Sequence, residues 1–287
     1  MRISFTACSH PGKVRTNNED NLYCDGQDVL VPTTAHGGTR LSSADGLTLT
    51  PETRDVPFSR NGESGVPCLF AVCDGMGGEA DGEFASLTAV TTLGEHAQVI
   101  KSAAFFDNTD KAMQDFVTDA NDRLCRAMRS RSARMGTTLA LAVITEDTVR
   151  TYNIGDSRIY RLQDGAFSRL SVDHTLAAQK VRMGLLTEEE AQKDRSRHVL
   201  TRYLGVFGEE MIIEADVIAP FAVNTGCRLL LCSDGLTDMV SECEIETVLR
   251  GAPDTGTAAD TLIAKALQNG GKDNVTCIVI DCGGEGL

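Results

Sequence analysis

The sequence predicts an α+β fold in which two packed antiparallel β-sheets are flanked by helices. Two observations carry that expectation. Strand-like and helix-like segments arrive in groups instead of a regular βαβ series. The length of 287 residues, 41% apolar and 24% charged, suits one large globular domain or two small ones. Only 7 Pro, no long polar tract and no block of like charge leave little room for a disordered tail or stiff linker, so residues 1–287 are read as a single domain.

Taken in order, Ile3 to Cys8 and Leu69 to Cys73 read as strands. Two long helices follow. Phe84 to about Ile100 is rich in Ala and Leu, and Met113, Phe116, Val117, Ala120, Leu124 and Met128 recur at helical spacing. Further strands are expected at Leu139 to Thr145, Val149 to Ile154, Ile159 to Leu162, Met211 to Ile218, Arg228 to Cys232 and Val275 to Ile280. A short helical excursion runs from about Leu176 to Asp194. Thr187 with Glu190, and Ser241 with Glu244, match capping boxes ahead of short helices. Residues 25–67, rich in Gly, Thr, Ser and Asp, fit neither period and read as a surface insertion.

The formal net charge is −14, from 41 Asp and Glu against 27 Lys and Arg, and such a field repels phosphate backbones, which excludes nucleic acid as a partner. No apolar stretch reaches membrane-spanning length, and the first residues carry His10, Lys13, Arg15, Glu19 and Asp20 in place of a signal-peptide core. A cytoplasmic location is expected. Of the 10 Cys, Cys68 and Cys73, Cys227 and Cys232, and Cys277 and Cys282 are spaced five apart within β-rich runs. In a strand that odd offset points to opposite faces, about 17 Å apart at roughly 3.3 Å per residue, so neither partner can bridge the other and buried reduced thiols are expected.

The most informative residues are aspartates at the edges of these strands. Asp74 follows Leu69 to Cys73, Asp234 follows Arg228 to Ser233, Asp156 follows Val149 to Gly155, and Asp273 stands just before Val275. Each alone reads as a turn residue, because Asp74-Gly75 and Asp234-Gly235 are common turn dipeptides. Together, on strands that share a core, they can gather at one edge of the sheets. Without cations that is unfavourable, since like charges about 4 Å apart repel by about 4 kcal/mol at an effective dielectric of about 20. Divalent ions reverse the sign. All-oxygen ligation favours Mg²⁺ or Mn²⁺ over zinc, and no His-Glu-x-x-His or Cys-x-x-Cys element argues otherwise. Two such ions lower the pKa of a shared water and clamp both oxygens of an in-line displacement, which suits phosphate monoesters.

These residues sit within a longer series of short motifs. Gly12-Lys13-Val14-Arg15 runs into Asn18-Glu19-Asp20-Asn21; Asp74-Gly75-Met76-Gly77-Gly78, Met135-Gly136-Thr137-Thr138 and Gly155-Asp156-Ser157-Arg158 follow. Asp173-His174-Thr175, Val199-Leu200-Thr201-Arg202, Ser233-Asp234-Gly235-Leu236 and Lys272-Asp273-Asn274-Val275-Thr276 complete the series. In this order they resemble the PPM family, the PP2C-type metal-dependent protein serine/threonine phosphatases, and especially its compact bacterial members. The resemblance implies paired antiparallel sheets with helices outside and two metal ions, Mg²⁺ or Mn²⁺, in the cleft between the sheets. It implies that Asp74 bridges the ions, that the Gly75 carbonyl joins one, and that Asp234 and Asp273 complete the other. Glu19 and Asp20 would hold metal-bound waters or stand behind the ligands, Arg15 would grip the substrate phosphate, Asp156 would hold a third, weaker ion, and Asn274 would support the site. It also makes about 175–205 a flap beside the cleft, and phosphoproteins, the targets of serine/threonine kinases, the substrates.

Two departures from the family stand out. Animal-type relatives carry a His next to the Asp-Gly pair and many bacterial ones a His after Gly-Gly; here those positions are Met76 and Glu79, which leaves the general acid unassigned. The insertion at 25–67 is also longer than usual. Among His10, His36, His96, His174 and His198, none has metal-ligand spacing, so each is expected in a structural or surface role. Two rival readings are weighed. Gly75-x-Gly77-x-x-Ala80 with Glu95 admits a dinucleotide site, but Asp74 would face the pyrophosphate and Glu95 falls inside a predicted helix. A catalytically silent phosphopeptide-binding or scaffold protein would usually have lost metal ligands, whereas Asp74, Asp234 and Asp273 all stand.

Overall fold

The structure, a computed structural model, describes residues 2–25, 47–48, 52–55, 67–77, 81–106, 108–209, 211–223 and 226–283. In chain order these form β1 (Arg2–His10), β2 (Asp20–Cys24), β3 (Leu47–Thr48), β4 (Glu52–Asp55) and β5 (Cys68–Gly77), then α1 (Asp81–Ala104) and α2 (Thr109–Arg131). Next come β6 (Met135–Thr137), β7 (Leu139–Ile144), β8 (Thr148–Ile154), β9 (Arg158–Gln163) and β10 (Ala166–Arg169), with α3 (Leu176–Arg182) and α4 (Glu188–Ala191). The last group is β11 (Asp216–Ala222), β12 (Cys227–Cys232), α5 (Asp234–Thr237), α6 (Glu242–Gly251), α7 (Thr255–Gln268) and β13 (Val275–Cys282).

The strands pair antiparallel in two sheets. One runs β10-β9-β12-β13-β1-β3 with β4 also on β1; the other runs β11-β8-β7-β5-β2 with β6 on the far end of β5. Why the central strands read as unbroken apolar runs is clear from β5. Leu69, Ala71 and Cys73 pack under α1 and α2, while Cys68, Phe70 and Val72 face the second sheet, so both faces are buried. β12 behaves alike: Leu229 and Leu231 lie between the sheets, and Leu230 and Cys232 meet α6 and α7. Three apolar layers therefore separate four layers of structure, helices, sheet, sheet and helices, as expected.

The cysteines obey the parity argument, with Cys68, Cys227 and Cys282 between the sheets and Cys73, Cys232 and Cys277 on the helix sides. All ten are free thiols. Spacing along one strand could not show that Cys227 and Cys282, Cys232 and Cys277, and Cys8 and Cys277 are register partners on neighbouring strands.

Both capping boxes form, Thr187 on Glu190 and Ser241 on Glu244. The strand expected over Met211 to Ile218 begins only at Asp216 and runs to Ala222. Its pairing slips between Ile218 and Phe221, across Pro220, which lacks a ladder donor and is tolerated because β11 is an edge strand. Within 25–67, Leu47–Thr48 and Glu52–Asp55 pair with β1; most of the remaining stretch lies outside the described residues.

Candidate metal centre

The strand register builds the floor of the centre. β2 pairs with β5 so that Asp20 stands opposite Asp74, an arrangement of like charges that antiparallel sheets avoid. Asp74 does not end its strand as expected. β5 continues to Gly77, and Asp74 marks where it leaves β7 and takes up β6. Its backbone is held on both sides: the amide donates to Thr138 Oγ1 at 2.9 Å, and the carbonyl accepts from Thr138 N and Thr137 Oγ1, each at 2.9 Å. This accounts for the Met135-Gly136-Thr137-Thr138 motif. Gly75 is required by space, because a Cβ there would lie 2.0 Å from the Gly82 carbonyl oxygen at the start of α1.

The second sheet supplies the facing wall. Ser233, the N-cap of α5, donates its hydroxyl to Asp20 Oδ2 at 2.7 Å and accepts from Thr276 N at 3.0 Å, tying β12 and β13 to β2. Asp234 opens α5. Asp273 precedes β13, and Asn274 accepts from Glu19 N at 2.8 Å while donating to the carbonyls of Pro11 and Asn17. Asn274 thus clamps the loop that carries Arg15 and Glu19 onto the sheet. Arg15 Nη2 lies 2.8 Å from Asp273 Oδ2 with about half of its side chain open to solvent.

Asp156 comes from the turn after β8. Gly155 takes φ +95, and Ser157 Oγ meets Thr138 Oγ1 at 2.6 Å, so this turn and the junction of β6 with β7 share one anchor. Behind it, Arg158 forks onto Asp173, and His174 accepts from Gly155 N at 3.0 Å while its Nε2 lies 3.0 Å from Asp216. His174 is structural, as expected, and burial holds its pKa below the ordinary value.

The electrostatics follow from this convergence. Burial, opposed by hydroxyl hydrogen bonds and reinforced by Asp234 and Asp273, pushes the Asp20 carboxyl up to about 7. Burial and the charges of Asp20, Asp234, Asp156 and Asp273 raise Asp74 well above the carboxylate range, and burial with Asp234 and Asp173 does the same for Asp156. Glu19 is raised as well, first by burial. Asp20 Oδ1 is buried with no hydrogen bond among the described residues. Clustered carboxyl oxygens, an orphaned buried acceptor and suppressed ionisation are what a divalent-cation site looks like before charge is supplied, so the residues fit such ions.

Sequence reasoning missed one participant. His198 places Nδ1 3.2 Å from Asp234 Oδ2 and Nε2 3.2 Å from Asp238 Oδ2, and these hydrogen bonds push its pKa up to about 10. Asp156, His198 and Asp234 bring ligand atoms within 4.8 Å of one another. The Thr175 to Leu200 bridge folds this segment back over the cleft, a contact no local spacing encodes. A cavity of about 260 Å³ opens here, lined by Arg15, His198, Asp234, Asp238, Lys272 and Asp273. His10 and His96 have structural partners in Gly12 N and Asp119, while His36 and Glu79 lie outside the described residues. Glu95 lies within α1 and pairs with Arg123, which removes the dinucleotide reading.

A four-layer sandwich with acidic side chains converging between its sheets defines a metal-dependent phosphatase. A model of the Protein phosphatase 2C family matches residues 57–267. The serine/threonine phosphatase stp of Listeria innocua is 35% identical over 216 residues, 74% of this chain and 84% of that protein. The serine/threonine protein phosphatase PstP of Mycobacterium tuberculosis is 34% identical over 283 residues, 97% of this chain and 45% of that protein. The crystal structure of the M. tuberculosis phosphatase PstP/Ppp aligns with a TM-score of 0.75 at 29% identity, covering 99% of this chain and 100% of that one. The PstP catalytic domain in complex with two manganese ions aligns at 0.71 and 27%, covering 99% and 100%. The chain belongs to the protein phosphatase 2C family of metal-dependent serine/threonine phosphatases. Its substrates are phosphoproteins, and among the described residues no helix is long and apolar enough to cross a membrane.

Proposed function

We propose that Asp74, Asp234, Asp273 and the Gly75 carbonyl hold two divalent cations, with Asp20 and Glu19 ordering water around them and Asp156 holding a third, weaker ion. The observation that carries this assignment is the pairing of Asp20 with Asp74 across adjacent strands, both pushed up in pKa, with Asp20 Oδ1 left without a partner. Bound there, Mn²⁺ or Mg²⁺ would supply an activated water and stabilise charge on the reacting phosphoryl group. Arg15, half open at the cleft mouth, presents a planar fork of donors to the substrate phosphate. Asn274 supports by fixing the Arg15 loop on the β13 edge. The manganese of the PstP complex makes Mn²⁺ the first ion to test. Ten free thiols favour a reducing, cytoplasmic setting, where the substrates would be targets of serine/threonine kinases. The stretch 175–205 is proposed as a flap on one domain.

Turnover of phosphoserine and phosphothreonine peptides is the test. Activity should require added Mn²⁺ or Mg²⁺, vanish in chelator, and fall in Asp74→Asn and Asp234→Asn by more than the roughly 10–100-fold typical of residues that merely surround ligands. Melting temperature should rise with the ion in the wild type and respond less in the variants. Full activity in chelator, or in both variants, rejects the assignment.

A further inference from the structure

Beyond the metal centre, β5 leads directly into a second cavity. Met76 follows Asp74 by two residues in one strand, so the two share a face about 6.6 Å apart at roughly 3.3 Å per residue. Gly75 and Met76 pair with Thr137 and Gly136, which fixes the floor between the two sites as backbone. Met76, Met128, Met135, Tyr203 and Phe207 line a cavity of about 180 Å³, with Arg134 at its rim. An apolar cavity of roughly 150 Å³ holds a benzene ring, so this one takes a single large side chain. Methionine walls suit such a role, because unbranched thioethers repack around ligands of differing shape.

The rim is charged opposite to the rest of the protein. Arg129 and Arg131 both lie nearby on α2, but each has a partner: Arg129 stacks on Phe207 and approaches Glu209, and Arg131 lies over Phe84 and approaches Asp81. Arg134 is exposed and has no ion pair or hydrogen bond among the described residues, on a chain of net charge −14.

We propose that this cavity is a peptide subsite. It takes a Leu, Met or Phe side chain of the phosphopeptide substrate, about two residues from the phosphorylated residue, while Arg134 receives a neighbouring Asp or Glu. The proposal rests on the phosphatase reading of the metal centre, and continuity along β5 supplies the link between the two. Gly136 adds to it: a Cβ there would lie 2.5 Å from the Tyr203 ring and 2.7 Å from Met76, so glycine keeps the side walls at the separation the cavity needs.

The test compares an aryl phosphate, too small to reach the cavity, with phosphothreonine peptides carrying Leu or Ala two residues from the phosphate on either side, with or without an adjacent Asp. Wild type should favour the Leu peptide over the Ala peptide by about tenfold or more in kcat/KM, the usual scale for filling an apolar pocket. Phe207→Ala should erase that preference, and Arg134→Glu, an exposed change that spares the core, should reverse the preference for Asp. Both variants should turn over the aryl phosphate as wild type does. Peptides turned over with equal kcat/KM whatever the side chain, while the aryl phosphate is hydrolysed, overturn the subsite alone. An equal loss on aryl phosphate and peptides in Arg134→Glu overturns it too. Silence toward both substrates in every metal rejects the catalytic reading and the subsite with it.

Discussion

Replacing Asp20 by Asn should stabilise the metal-free protein at pH 8 and leave it unchanged at pH 4. The folded-state pKa of Asp20 rises from 3.8 to about 7, chiefly by burial. Between those values the folded protein binds a proton that the unfolded chain has released, so its contribution to stability falls as pH rises and is fully lost above about 7. Three units at 1.36 kcal/mol each amount to about 4 kcal/mol. Asn keeps a carbonyl for the Ser233 hydroxyl, which donates at 2.7 Å, but carries no charge at any of these pH values. Other groups titrate in the same window, and His174, depressed by burial, acts in the opposite sense by destabilising the fold as pH drops through its ordinary range. The difference between wild type and Asp20→Asn cancels the terms of groups remote from Asp20, such as His174, and adds the relief of Asp74, whose carboxyl the Asp20 charge helps to raise. Urea unfolding in chelator at pH 4, 6 and 8 measures it. A difference that stays flat with pH, or a variant less stable than wild type at pH 8, would refute the claim that Asp20 is a suppressed acid awaiting a cation.

Two further substitutions test the scaffold around the centre. Gly75→Ala drives a methyl into the Gly82 carbonyl at 2.0 Å, so it should cost about 1–3 kcal/mol in urea unfolding and, by moving the proposed carbonyl ligand, reduce turnover even where the protein remains folded. Arg228, fully buried, forks onto Asp281 at 2.6 and 2.7 Å and donates to the carbonyls of Leu249 and Ala252 at the end of α6. Arg228→Ala should therefore destabilise by about 3–5 kcal/mol, leaving a cavity, the half-buried Asp281 carboxylate without its partner and two helix-end carbonyls without their donor, while kcat of the folded fraction stays near wild type.

What could be read from the sequence was what neighbouring residues encode. β5 and β12 announced themselves because a strand buried on both faces must be apolar throughout, and the capping boxes did so because their partners lie three residues apart. β2, β6 and β10, each of five residues or fewer, carry too little pattern and exist through pairing. The aspartates were visible as candidates one at a time; their mutual geometry was not. Arg15 and Asp273 meet across 258 positions, and His198 reaches Asp234 only because its segment folds back on Thr175.

That geometry divides the carboxylates in a way the linear motifs hide. At the rim, Asp273 has Arg15 and Asp234 has His198, so part of their charge is already balanced by side chains that can swing away. On the floor, Asp20 and Asp74 face each other from neighbouring strands with no cationic partner among the described residues, and the backbone around Asp74 is pinned by Thr137 and Thr138. The floor cannot relax its repulsion by moving, since a shift would break the β2 to β5 ladder. Protonation or a bound cation are its two remedies, and at neutral pH the first is only half available to an acid titrating near 7. Most of the metal-linked stability should therefore come from the floor pair, and a rim substitution such as Asp273→Asn should weaken turnover far more than it changes the pH dependence of the metal-free fold.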